Sequence, residues 1–166
     1  MKTLLIIRHA KSSWDNINTP DIDRPLNDRG RKDAPAMAKK VKKAGVRIDR
    51  FVSSPARRAR HTAELFAREQ NVKEEDIVIL TELYHAQPAV FQQVITGMDD
   101  KDETVAVFSH NPGITAFVNT LGAARLDNMP TCSVFAVKSQ SPTWNDFFTT
   151  APEFLFFDYP KSATSD

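Results

Sequence analysis

The sequence predicts an α/β protein with three layers, α/β/α: a mostly parallel central sheet with helices on both faces. Three observations point there. Short apolar runs alternate with amphipathic stretches from residue 4 to residue 121. The first run, Leu4-Leu5-Ile6-Ile7, has no polar alternation and reads as a strand buried on both faces. The helical stretches between runs give the order βαβαβαβα, which joins parallel strands by crossover helices.

After the first strand comes a polar stretch from Lys11 to about Leu26. Ala34, Met37, Ala38 and Val41 then mark one apolar helix face, closed by Lys39, Lys40, Lys42, Lys43 and Gly45. Phe51-Val52 is a short strand. Ser54-Pro55 predicts a helix to about Glu69, with Ser54 as N-cap and Pro55 at the first helical position. Ile77–Leu80 reads as a strand, Pro88 to about Ile95 as a helix, and Thr104–Phe108 as a strand ending at Ser109-His110. Asn111-Pro112 predicts another cap before Ile114, Phe117, Val118 and Leu121, with Gly122 as the stop. Ser133–Val137, Asn145–Thr150 and Glu153–Asp158 read as strands that extend the sheet with antiparallel pairing. The tail from Lys161 to Asp166 is expected to fray.

The 166 residues are expected to form one domain. With 41% hydrophobic residues, the chain can bury a core without disulfides or metals. A net charge of +1 argues against a general nucleic-acid binder. The single cysteine, Cys132, suits a reducing compartment. No apolar run reaches the ~20 residues that span a bilayer. The sequence is therefore expected to be soluble and cytoplasmic, with neither nucleic acid nor membrane as a partner.

Sites in open α/β sheets form beyond the carboxyl ends of the strands. Three such ends carry related polar residues: Arg8-His9, then Ser53-Ser54-Pro55 leading to Arg57, Arg58 and Arg60, then Ser109-His110. Two imidazoles and at least one guanidinium beside helix N-termini favour an anion, phosphate above all. One strand-end histidine is ordinarily a structural residue; two at equivalent ends are harder to explain that way. His61 and His85 read as surface or packing residues, and part of the Arg57-Arg58-Arg60 cluster as a solvated helix face. No metal-ligand spacing, phosphate-binding glycine loop or Gly-x-Ser-x-Gly elbow is present, so neither metal nor cofactor is expected. Cys132 lacks the basic neighbour of a nucleophile.

These residues resemble the histidine phosphatase superfamily, whose fold is phosphoglycerate mutase-like. Arg8-His9 after an N-terminal strand resembles its Arg-His-Gly signature. Ser54 through Ala63 resembles its Ser-x-x-x-Arg-Ala-x-x-Thr-Ala segment, and that alignment selects Arg58 from the three arginines. Val105–Phe108 followed by Ser109-His110 resembles the segment with the second histidine. Arg24-Pro25-Leu26, Arg29-Gly30 and His110-Asn111-Pro112-Gly113 are most similar to the small phosphohistidine phosphatases of the SixA type. The short chain leaves no room for the capping insertions of other branches. Ala10, Asp15 and Asn111 depart from residues found elsewhere in the superfamily.

The resemblance implies that His9 attacks phosphorus and becomes phosphohistidine, which water then cleaves. It implies that Arg8, Arg58 and His110 bind the phosphoryl oxygens. Glu82, in Thr81-Glu82-Leu83-Tyr84, falls near the carboxylic acid of the mutase branch, and is the expected proton donor. The expected substrate is a phosphohistidine-containing protein. The alternatives are a small phosphorylated molecule cleaved by a phosphomonoesterase of the same superfamily, and a non-enzymatic phosphoprotein-binding module.

Overall fold

The computed structural model describes residues 1–160; the expectation for the tail from Lys161 lies outside them. Its strands are β1 (Lys2–Arg8), β2 (Arg50–Ser53), β3 (Val78–Ile79), β4 (Thr104–Ser109), β5 (Val134–Ser139) and β6 (Glu153–Asp158). Its helices are α1 (Asp28–Lys43), α2 (Arg57–Glu69), α3 (Pro88–Thr96) and α4 (Gly113–Thr120). The strand order is β3-β2-β4-β1-β5-β6, with β1 to β4 parallel and β5 antiparallel to both β1 and β6. This is the α/β architecture expected from the alternation of runs.

The side-chain alternation of β1 assigns the layers. Leu5 and Ile7 face α1 and α2, in one cluster with Met37, Val41, Phe66, Phe51 and Phe108. Leu4 and Ile6 face α3 and α4, in a second cluster with Phe91, Ile95, Phe117, Val105 and Val107. All four β1 residues are fully buried, which a sheet covered on both faces demands.

Three local expectations need correction. Residues 145–150 form turns instead of a strand. Trp144 and Phe147 are fully buried there in the α3/α4 layer, and the Trp144 indole N–H donates to the Asp102 carbonyl at 2.7 Å. The aromatic density that suggests a strand is a plug over the sheet. Second, α2 starts at Arg57 with Ala56 as N-cap, so Ser54 is not its cap and Pro55 precedes the helix. Third, α4 starts at Gly113 with Pro112 as N-cap, and Asn111 makes no capping bond to it. In both places the polar residue is drawn into the site or its supporting loop.

Close backbone approach fixes the start of α4. A Cβ on Gly113 would collide with the Ala86 carbonyl, so the turn after β3 lies directly against the helix N-terminus. Gly122 and Gly45 both have φ in the left-handed region just past helix ends, at 72° and 85°, as their stop signals require.

Candidate active site

The site forms where β1 and β4 end side by side. The register pairs Arg8 with Ser109, so the next residues, His9 and His110, leave the sheet at the same level. Their ring centroids are 5.2 Å apart. Both residues are only 6% exposed, so each imidazole is largely withdrawn from water.

His9 is oriented by its own backbone. Its Nδ1–H donates to the Ala10 carbonyl at 2.8 Å, which leaves Nε2 as the ring atom with a free lone pair. The Ala10 N–H donates to Thr62 Oγ1 at 3.0 Å, and that hydroxyl donates to the Arg58 carbonyl at 2.7 Å. Thr62 thus ties the His9 turn to the helix carrying Arg58. Ala10 has no positive φ and is fully buried, so the small side chain that replaces glycine fits without strain.

Burial pushes the His9 pKa down to about 3; the Ala10 carbonyl opposes the shift, and Arg58, Arg8 and Arg24 add to it. His110 is pushed down to about 2 by burial, then by His9 and Arg58, with Asp21 opposing. Both rings are neutral near pH 7, the state a nucleophile needs. His110 Nε2 lies 2.7 Å from Ser54 Oγ. When Ser54 donates, the ring proton resides on Nδ1. That atom is buried without a partner among the described residues.

The two arginines are held at their tips. Arg8 Nη1 donates to the Met129 carbonyl at 2.8 Å, and its Nε is buried without a partner among the described residues. Arg58 donates from Nη1 to the Asp21 carbonyl at 2.7 Å and from Nη2 to Asp21 Oδ2 at 3.1 Å; its Nε too is buried without a partner among the described residues. Three buried N–H groups around two neutral imidazoles lack the acceptor that buried donors require. A phosphoryl group with several oxygens would supply it. Burial first, then the Arg58 charge, pulls the Arg8 pKa down.

Sequence reasoning brings His9, Arg8, Arg58 and His110 together, and they meet here. Arg57 and Arg60 point outward, Arg60 towards Glu64 at 3.8 Å. Glu82 lies on the 3-10 turn Thr81–Leu83 and is exposed. It lines a cavity of about 470 Å³ with Arg50, Leu80, Val90 and Asp102, in which neither site histidine takes part. Asp15 is exposed, and its N–H donates to Ser13 Oγ. Asn111 donates to Asn128 Oδ1 and to the Met129 carbonyl that also accepts from Arg8, so it organises the loop behind Arg8.

Asp21, Arg24 and Tyr84 are the residues sequence reasoning misses. Burial works to raise the Asp21 pKa, but the Tyr84 hydroxyl, Arg58 and Arg24 outweigh it and hold the carboxyl well below the usual range. Tyr84 donates to Asp21 Oδ2 at 2.5 Å, and Arg24 Nε to Oδ1 at 3.2 Å. Arg24 is buried beneath Trp14, its guanidinium 3.7 Å from the ring centre, and also donates to Ser12 Oγ at 2.6 Å. The Arg24-Pro25-Leu26 match was the one available signal. Burial pushes the Cys132 thiol pKa up, which keeps it a poor nucleophile. Among the described residues, no group of three His, Cys, Asp or Glu side chains could hold a metal, and no helix is long and apolar enough to cross a membrane.

Comparison with solved structures places this geometry among known folds. A candidate phosphohistidine phosphatase SixA from Agrobacterium tumefaciens superposes with a TM-score of 0.81 at 24% identity, covering 96% of this chain and 98% of that one. The protein histidine phosphatase SixA complexed with tungstate gives 0.80 at 22%, over 97% and 99%. In sequence, an uncharacterized chloroplastic protein of Arabidopsis thaliana is 27% identical over 155 residues, 89% of this chain and 71% of that one. A 2,3-bisphosphoglycerate-dependent phosphoglycerate mutase of Bartonella henselae is 38% identical over 65 residues, 38% of this chain but 32% of the mutase. The sequence profile of the histidine phosphatase superfamily (branch 1) matches residues 4–94, more than half of the protein. The chain belongs to that superfamily.

Proposed function

We propose that the protein is a phosphohistidine phosphatase that works through a phosphorylated His9, without a metal. His9 Nε2 attacks phosphorus; a P–N bond forms to His9 as the P–N bond of the substrate breaks. The released imidazole takes its proton from water. A second water then attacks the phosphorylated His9, giving inorganic phosphate and free His9. Arg8, Arg58 and the Nδ1–H of His110 face the charge spread over the equatorial oxygens. Burial of the His9 ring supports this, because it keeps the imidazole neutral and a protonated His9 could not attack.

One observation carries the choice of substrate. Asp21 is the carboxylate hydrogen-bonded to Arg58, and three donors hold it ionised, so it has no proton to give. A phosphoester leaves as an alkoxide and needs a general acid, whereas a phosphohistidine leaves as an imidazole and depends on one far less. The phosphomonoesterase alternative needs a donor such as Glu82, which stands exposed on the wall of a different cavity. The test compares kcat/KM for a phosphohistidine-carrying protein with that for a panel of sugar and nucleotide phosphates, each with and without excess chelator. A higher value for the phosphohistidine protein, unchanged by chelator, is expected. A sugar or nucleotide phosphate as the better substrate would favour the phosphomonoesterase reading. Loss of activity restored by a divalent metal would refute the metal-free step.

A further inference from the structure

The acidic residue at the mouth of the site looks out of place, because a carboxylate beside a phosphate-binding arginine repels the substrate. Its bonding gives a different account. A guanidinium has two edges on which it can hold an oxyanion by paired hydrogen bonds, the Nη1–Nη2 edge and the Nε–Nη2 edge. Asp21 takes the first edge with two of its own atoms: its backbone carbonyl accepts from Nη1 at 2.7 Å, and Oδ2 accepts from Nη2 at 3.1 Å. Nε on the second edge is buried and has no partner among the described residues.

Asp21 is itself held from both sides. Tyr84 donates to Oδ2 at 2.5 Å, and Arg24 donates to Oδ1 at 3.2 Å. Arg24 in turn is fixed by Ser12 Oγ, by the Ser13 carbonyl and by the Trp14 ring. The carboxylate is 44% exposed, yet both of its oxygens are engaged. Tyr84 also packs edge-on against the His110 ring, with centroids 5.7 Å apart, so the same side chain borders both halves of the site.

We propose that Asp21 is a positioning residue that grips Arg58 by its Nη1–Nη2 edge and thereby presents the Nε edge to the transferring phosphoryl group. Tyr84 and Arg24 lock Asp21 in that role. The proposal rests on the reading of this site as a phosphatase centre.

The experiment is a double-variant cycle on the full chain with two readouts. Binding of inorganic phosphate is measured by calorimetry, and kcat and KM are measured on a phosphohistidine-carrying protein. Asp21→Ala is expected to weaken phosphate binding about tenfold and to lower kcat/KM on the order of 10²-fold, as displacement of a reacting group by about an ångström does. Asp21→Asn, which keeps an acceptor oxygen for Nη2, should recover most of the loss. In an Arg58→Ala background, Asp21→Ala should cost nothing further in either readout. Additive losses would overturn the proposal, and so would tighter phosphate binding by Asp21→Ala, which would make Asp21 a competitor of the substrate. If Asp21→Ala does not fold, Tyr84→Phe, which removes a donor that holds Asp21, carries the same cycle with Arg58→Ala, and additivity again refutes. Absence of turnover by the unaltered protein would defeat the functional reading, while the phosphate-binding cycle would still decide on Asp21.

Discussion

His9 and His110 stand on the ends of adjacent strands in the middle of the sheet, whereas Asp21, Arg24 and Tyr84 come from connecting segments that wrap over them. The first pair is buried and neutral, and its spacing follows from strand register. The second group includes exposed charge, and its geometry is set by hydrogen bonds between side chains far apart in sequence. In the proposed mechanism the floor carries the covalent chemistry and the rim orients what binds there. A strand register tolerates little movement, while a rim of paired side chains can be retuned one bond at a time.

The comparison breaks most decisively at the floor. His9→Ala should abolish turnover while the fold survives, because the residue lies at the end of β1 and outside both apolar clusters. In the unaltered protein a trapped phosphoenzyme should be acid-labile and alkali-stable. Phosphate mapped to Ser12, Ser13 or Cys132 would refute the nucleophile. Next in size, Arg58→Ala and Arg8→Ala should each cost about 3 kcal/mol in transition-state binding, read from kcat/KM. Arg57→Ala and Arg60→Ala should cost far less, since both side chains are exposed. Equal losses at all of them would mean a diffuse basic patch.

Ser54→Ala removes the partner of His110 Nε2 and should lower kcat/KM roughly tenfold, the worth of one buried hydrogen bond. The floor should also destabilise the fold in acid. Both histidines have depressed pKa values, so below about pH 6.5 the unfolded chain takes up protons that the folded chain refuses. Their contribution is complete above pH 6.5 and is lost as pH falls towards 3. The Tm should drop by several degrees between pH 7 and pH 5, and His9→Gln should flatten that dependence. The smallest effect is expected at Glu82→Gln, with little change in phosphohistidine hydrolysis. A fall of about 10²-fold on an alkyl phosphate would give the carboxyl a catalytic part in the alternative reaction.

The floor was legible in the sequence for a physical reason. Strand ends are announced by the end of an apolar run, and His9 and His110 each stand one step beyond. The alternation of runs likewise carried the parallel half of the sheet. The rim left no such trace, because Asp21 lies in a polar stretch where a carboxylate is unremarkable, and its partners are 3, 37 and 63 residues away. Ser54 shows how the two levels compete: its position before a proline reads as a helix cap, but a buried imidazole claims its hydroxyl. Residues 145–150 carry a strand-like composition without being a strand, because hydrophobic content does not distinguish a strand from a plug when the apolar spacing is irregular.

The pairing of β1 with β4 joins segments about a hundred residues apart, with β2, β3 and three helices between them. The nascent chain therefore has His9 long before it has His110, and the two meet only when the intervening crossovers have docked. Such distant pairing tends to come late and slowly. Recovery of phosphatase turnover after dilution from denaturant then serves as a clock for closure of the central strand pair. It should lag behind the return of helical circular dichroism, which needs only local contacts.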